Sequence, residues 1–182
     1  MLKLTPTPAL KDGSFKSHGI SIALNSDLAL ASLAQRSGQE TGFTKASTSI
    51  FGGVLPDVER VQAFGDFTAF WTGPEAWMVS ARVDEFEDLE AILRAQFKET
   101  ASITEQSGGW VCFDVVGAQI HDLMERLVMA DLRTTGPDCV KRCVIDHIGV
   151  FVLTSQEGLR LWAPRSFASS LFHALTQAAK SL

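Results

Sequence analysis

Cys139, Cys143 and His147 are the side chains with metal-binding chemistry at regular spacing. Steps of four would line one face of a helix, and thiolate with imidazole suits zinc. However, residues 144–153 are rich in β-branched and aromatic types, the composition of a strand. No fourth ligand stands nearby, and structural zinc takes four. Cys112 lies in an apolar run, where a free thiol behaves as a small hydrophobe. The four histidines, His18, His121, His147 and His173, show no carboxylate-plus-nucleophile pattern, and no Gly-x-Ser-x-Gly elbow occurs. Ser107-Gly108-Gly109 precedes a strand rather than joining strand to helix, so it reads as a turn and not a phosphate cradle. Neither a Gly-x-Gly-x-x-Gly run nor a Walker-type loop is present. The expectation is that this chain carries no catalytic, cofactor-binding or metal-binding residue of its own.

Composition narrows the partners. The chain has 182 residues, 46% hydrophobic and 20% charged, which are globular values. A chain of this size buries roughly 70% of its unfolded surface without disulfides or metals. Its net charge of −5 disfavours phosphate backbones, so neither nucleic acid nor an anionic membrane is expected as a partner. Three cysteines at irregular positions are not a disulfide framework. The first residues are too polar for a secretory leader, and no apolar run spans a membrane. A cytoplasmic location is expected.

The elements that would position any chemistry follow from periodicity. Residues 1–18, with Pro6, Pro8 and Gly13, read as an N-terminal arm in loop conformation. Residues 19–24 alternate and read as a strand; Leu30, Leu33 and Ala34 suggest a helix from about 27 to 36, ended by Gly38. Residues 39–63 show little periodicity. Residues 67–71 and 77–81 form a hairpin around a Thr72–Glu75 turn, with Trp77 and Val79 on one face and Met78 on the other. A helix over 84–97 places Phe86, Leu89, Leu93 and Phe97 on one face, with acids crowding its first turn. The order then repeats: a strand over 110–115, a bend at Gly117, a helix carrying Ile120, Leu123, Met124, Leu127 and Val128, a long strand over 144–153, a return over 159–162, and a last helix after Pro164.

The halves overlay. At an offset of 82, residues 71–93 meet 153–175, with identities at Thr72/Thr154, Glu75/Glu157, Ala81/Ala163, Leu89/Leu171 and Leu93/Leu175. At about 90, residues 19–36 meet 109–126. The fold expected is α+β: a single domain over 19–182 made of two βαββα units, of split βαβ, ferredoxin-like type, with pseudo-repeats at about 19–98 and 107–180.

Four segments, in order, carry a resemblance. Gly73-Pro74-Glu75-Ala76-Trp77 resembles the Gly-Pro-acid-x-Trp hairpin of the sarcosine oxidase gamma-subunit family. Thr104-Glu105-Gln106-Ser107 is similar to its Thr-Asp-x-Ser segment, with Glu105 where Asp is common. Gly117, followed by Leu123 and Asp131-Leu132, resembles its next helix and exit. Pro164-Arg165-Ser166-Phe167-Ala168 resembles its C-terminal Pro-Arg-Ser-aromatic-Ala start. The Leu132–Cys139 loop lacks an expected aromatic.

The resemblance implies a fold like the folate-binding part of the glycine-cleavage T-protein. It also implies a non-catalytic subunit supporting oxidative demethylation of sarcosine to glycine, with hydrogen peroxide and 5,10-methylenetetrahydrofolate. Partners would be alpha, beta and delta subunits, which would carry the FAD, FMN, NAD, zinc and tetrahydrofolate sites. The alternative it leaves is a stand-alone folate-binding or aminomethyl-transfer protein. T-protein folate binding depends on a cleft acid; Glu75, Asp114 and Glu157 are the acids nearest strand ends here, each expected as a turn or solvated residue. Of the four tryptophans, Trp71, Trp77, Trp110 and Trp162, most are expected in the core and one or two toward a partner.

Overall fold

The computed structural model describes residues 7–182. In chain order its elements are β1 (Ser14–Ser17), β2 (Ile20–Asn25), β3 (Leu28–Gln35), α1 (Glu40–Phe51), β4 (Val61–Phe64), β5 (Phe67–Gly73), β6 (Ala76–Arg82) and α2 (Leu89–Phe97). They continue with β7 (Ala101–Glu105), β8 (Trp110–Gly117), α3 (Ile120–Glu125), β9 (Val140–Ile145), β10 (Ile148–Thr154), β11 (Leu159–Pro164) and α4 (Ala168–Lys180). The strands form two antiparallel sheets, ordered β1-β2-β8-β11-β10-β9 and β4-β5-β6-β3-β7.

Strand alternation sets the layers. On β8, Val111, Phe113 and Val115 point to a core shared with Leu123 of α3 and with Leu171 and Leu175 of α4. On β3, Ala29, Ala31 and Leu33 point to a core shared with Phe43 and Phe51 of α1 and Leu93 and Phe97 of α2. The opposite faces meet: Leu30, Phe70 and Met78 of one sheet pack on Cys112, Phe151, Leu153 and Trp162 of the other. The result is four layers, helix–sheet–sheet–helix. Full burial of each such large side chain stabilises by roughly 1.5–3 kcal/mol.

The two sheets are built alike. Leu28 pairs with Arg82 between β3 and β6, and Trp110 with Pro164 between β8 and β11, both partners shifted by 82 residues. Leu89 and Leu93 of α2, and their counterparts Leu171 and Leu175 of α4, are all buried. Each series of elements gives its leading strand to the other: β2 pairs with β8, and β7 with β3. A seam closes one side. Arg60 bridges Cys139, the Val61 N–H donates to the Asp138 carbonyl at 3.1 Å, and the Val140 N–H donates to the Glu59 carbonyl at 3.0 Å. Glu59 and Asp138 share the left-handed conformation, with φ of 60° and 59°. This reciprocity is the pattern of a pseudo-two-fold axis through the bridge.

Several expectations are corrected. The helix over 27–36 is strand β3. Its Ala and Leu residues favour helix locally, but β6 and β7 pair along both its edges and both its faces are covered. The second element of the first unit is therefore a strand, and the observed order, with β7 counted into the second series, is ββαβββα rather than βαββα. The weakly periodic stretch holds α1, which buries Phe43, Ala46, Ser47 and Phe51; Thr44 and Thr48 return their hydroxyls to the carbonyls of Glu40 and Thr44. The long strand over 144–153 is two strands. Asp146 and His147, at φ 46° and 67°, make a two-residue turn between Ile145 and Ile148. The helix over 84–97 starts at Leu89, because Asp84 is bound to Arg82 in the preceding turn. Part of the arm is ordered as β1, paired with β2, while residues 1–6 lie outside those described. The ungapped overlay holds for β6 with β11, but β5 and β10 are displaced by 83, since Trp71 pairs with Trp77 and Thr154 with Leu159. Counted from these pairs, the turn of the first hairpin is therefore one residue longer than that of the second.

Candidate functional site

A cleft of about 370 Å³ opens between the sheets, where β4 and β5 face β8, β10 and β11. Because Phe113 and Val115 of β8 point to the helix side, Asp114 must face the other sheet. Leu159 and Leu161 place Arg160 of β11 likewise, and the two are directly opposed across the ladder. The Arg160 Nε donates to Asp114 Oδ1 at 2.8 Å, and the Asn25 Nδ2 donates to Oδ2 at 2.7 Å. Burial alone would lower the Arg160 pKa, but the Asp114 carboxylate outweighs it and the net direction is upward. The guanidinium is a fixed cation.

Val61, Ala63, Val116 and Leu153 line the walls, and Asp138 and Glu157 add acids. Thr154 anchors one side: its hydroxyl donates to the Gly136 carbonyl at 2.8 Å and accepts the Cys139 N–H at 3.1 Å. A second cleft of about 330 Å³ lies further along β8, lined by Asn25, Ser107, Trp110, Cys112, Trp162 and Arg165 among others.

The ten motif positions fall into separate places. Gly73 ends β5, Pro74 and Glu75 form the turn, and the Glu75 carbonyl accepts the Gln35 N–H. Trp77 stacks on Phe43 with centroids 5.5 Å apart, and its indole donates to the Pro56 carbonyl at 2.8 Å. The Thr104 carbonyl accepts the Ser32 hydroxyl at 3.4 Å, and Ser107 Oγ accepts the Leu30 N–H at 2.9 Å. Gly117 takes φ 139°, and a Cβ there would sit 1.9 Å from the Gly19 carbonyl oxygen. Pro164 closes β11, where Arg165 and Ser166 form a short 3₁₀ turn. The Arg165 N–H reaches the Gly109 carbonyl at 2.8 Å, and its guanidinium the Thr7 carbonyl. Ser107 and Arg165 both line the second cleft.

Cys139 lies at the seam within 3.0 Å of Arg60 Nη1, Cys143 is buried in the α3–α4 core, and His147 is in the β9–β10 turn. Burial raises the Cys112 and Cys143 thiols above their ordinary range. Trp162 is buried, and Trp71 and Trp110 pack half-buried against the inter-sheet core. Of the three acids singled out in the sequence, Asp114 and Glu157 share the first cleft. Arg160 and Asn25 were not singled out. For Arg160 the signal is register: a charged residue between two apolar ones on a strand must face the second sheet.

No family model and no curated protein matches the sequence. The fold has close counterparts. A chain of a heterotetrameric sarcosine oxidase from Corynebacterium sp. U-96 superposes with a TM-score of 0.76 at 18% identity, over 89% of this chain and 84% of that one. An aminomethyltransferase T of the glycine cleavage system from Bartonella henselae superposes with a TM-score of 0.65 at 11% identity. That match covers 86% of this chain but 45% of the other. The chain has the fold shared by these two proteins. Among the described residues, no helix is long and apolar enough to cross a membrane.

Proposed function

We propose that this chain is the non-catalytic gamma subunit of a heterotetrameric, cytoplasmic sarcosine oxidase. It supports demethylation of sarcosine by alpha, beta and delta subunits, which hold FAD, FMN, NAD, zinc and tetrahydrofolate. The observation that carries this reading is the extent of the likeness: 84% of the sarcosine oxidase chain is covered, against 45% of the aminomethyltransferase. The likeness thus extends over most of the sarcosine oxidase chain rather than over one part of it. Several motif positions make bonds that hold the fold together, among them Ser107 with Leu30 and Trp77 with Pro56, a role that suits a non-catalytic subunit. Apolar side chains left on the surface, Val54, Val58, Met129 and Val144, are available to neighbours.

Co-expression of the tagged chain with candidate large subunits tests the proposal. A stoichiometric complex with sarcosine oxidase activity, lost when this chain is omitted, is expected. A chain that purifies alone, assembles with none of them and binds tetrahydrofolate in titration calorimetry would replace the proposal with the stand-alone folate binder.

A further inference from the structure

The pseudo-two-fold relation permits an internal comparison of the first cleft. Asp114 and Arg160 are opposed between β8 and β11 as Ser32 and Met78 are opposed between β3 and β6. Ala63 pairs with Thr68 at the cleft as Arg142 pairs with Phe151 across the axis. The same backbone frame is therefore filled in two ways. Across the axis, Met78 and Phe151 are buried, and the Arg142 guanidinium covers the Phe151 ring at 5.8 Å. At the cleft, small side chains leave space, and a partly buried ion pair replaces serine and methionine.

Such a pair contributes little stability compared with apolar packing, and the frame demonstrably accepts apolar packing. What the pair provides is recognition. Arg160 spends Nε on Asp114, and among the described residues its two terminal nitrogens make no hydrogen bond. Those nitrogens suit a carboxylate, which guanidinium binds with directional, charge-assisted bonds. Asp138 and Glu157 line the same cleft and suit an ammonium, and Val61 and Leu153 add apolar wall. The volume is that of a small-molecule site.

We propose that this cleft binds a small amino acid in its zwitterionic form, carboxylate on Arg160 and ammonium toward Asp138 and Glu157. The assignment does not depend on the subunit reading. The test is titration of the full chain with glycine, sarcosine and L-alanine, followed by NMR or calorimetry, with acetate and methylamine as half-ligands. At least one amino acid should bind saturably with a dissociation constant of about 1 mM or tighter, and both half-ligands about tenfold more weakly or worse. Two variants copy the filled side. Ala63→Arg with Thr68→Phe fills the cleft while leaving Asp114 and Arg160 in place, and Asp114→Ser with Arg160→Met removes that ion pair. Each should weaken binding by at least about tenfold; if the second does not fold, the plug variant alone decides. Absence of saturable binding, acetate binding as tight as the amino acids, or undiminished binding in the plugged variant would overturn the proposal.

Discussion

Gly117→Ala should be among the most damaging single-methyl changes in this protein. Gly117 ends β8 opposite Ile20, where the strand given by the first series of elements meets the second sheet. An added Cβ would lie 1.9 Å from the Gly19 carbonyl oxygen and 2.9 Å from both the Gly19 carbonyl carbon and the Ile20 Cα. All three are backbone atoms of β2 and its turn, so no side chain can rotate away. Relief requires about an ångström of displacement in the β2–β8 ladder, an overpacking that costs about 1–3 kcal/mol. The φ of 139° adds about 1–3 kcal/mol of strain for a residue with a Cβ. Together they predict a loss of about 2–6 kcal/mol, or a fall in Tm of at least about 4 °C for a chain of this size. Gly149→Ala is the control: a Cβ there meets nothing within 4 Å, and the change should stay within about 1 kcal/mol. Urea unfolding followed by circular dichroism measures both. Gly117→Ala within about 0.5 kcal/mol of the parent protein would refute the close-approach argument.

Trp77→Phe keeps an aromatic surface for Phe43 but leaves the Pro56 carbonyl without its indole donor. It should cost about 1–3 kcal/mol in the same assay, whereas an unchanged midpoint would mean the bond contributes nothing. Native alkylation with iodoacetamide should label Cys139 first, because Cys112 and Cys143 are buried with raised pKa values; peptide mass spectrometry showing Cys112 labelled first would contradict that burial. The Glu40 carboxyl is held below its ordinary range by its own backbone N–H and that of Gly38. Its contribution is thus fully present above the unfolded value of about 4.3 and lost as pH falls through the lower folded value. The Tm gap between parent and Glu40→Gln should be constant near neutrality and close under acid; a gap that widens on acidification reverses the sign. Finally, exchange of β2 and β7 makes each sheet depend on both series of elements. Unfolding should then be one transition, with tryptophan fluorescence and far-ultraviolet ellipticity coinciding; two separated midpoints would show that the sheets fold independently.

How much of the fold was legible turns on where local pattern and tertiary pairing agree. The β5–β6 hairpin is both aromatic and punctuated by Pro74, and Trp77, Val79 and Met78 divide between faces as alternation requires. Helix α2 presents Leu89, Leu93 and Phe97 at helical spacing, and all three are buried. Strand β3 is the opposite case. Leu28-Ala-Leu-Ala-Ser-Leu-Ala is strong helix material, and a central strand covered on both faces shows no polar alternation to contradict it. The Ser- and Thr-rich composition of α1 hid a helix for the converse reason, since those residues favour caps and turns until their hydroxyls return to the helix's own carbonyls.

The misread β3 also displaced the internal comparison. Aligning β2 with β8 needed a second offset near 90, whereas aligning β3 with β8 uses the same 82 that relates β6 to β11. Only with that register does Asp114 correspond to Ser32 and Arg160 to Met78. The cleft was therefore partly visible as single acids, Asp114 and Glu157, but not as a constellation. Its cation, its Asn25 and its empty space arise from strands distant in sequence: β2, β4, β8 and β11. Repetition explains the frame, and departure from repetition marks the site. Where both halves keep leucine, as at Leu89 and Leu171, the position serves the core. Where one half substitutes a guanidinium and a carboxylate for methionine and serine, the shared fold does not require the change, and the proposed amino-acid site supplies a reason for it.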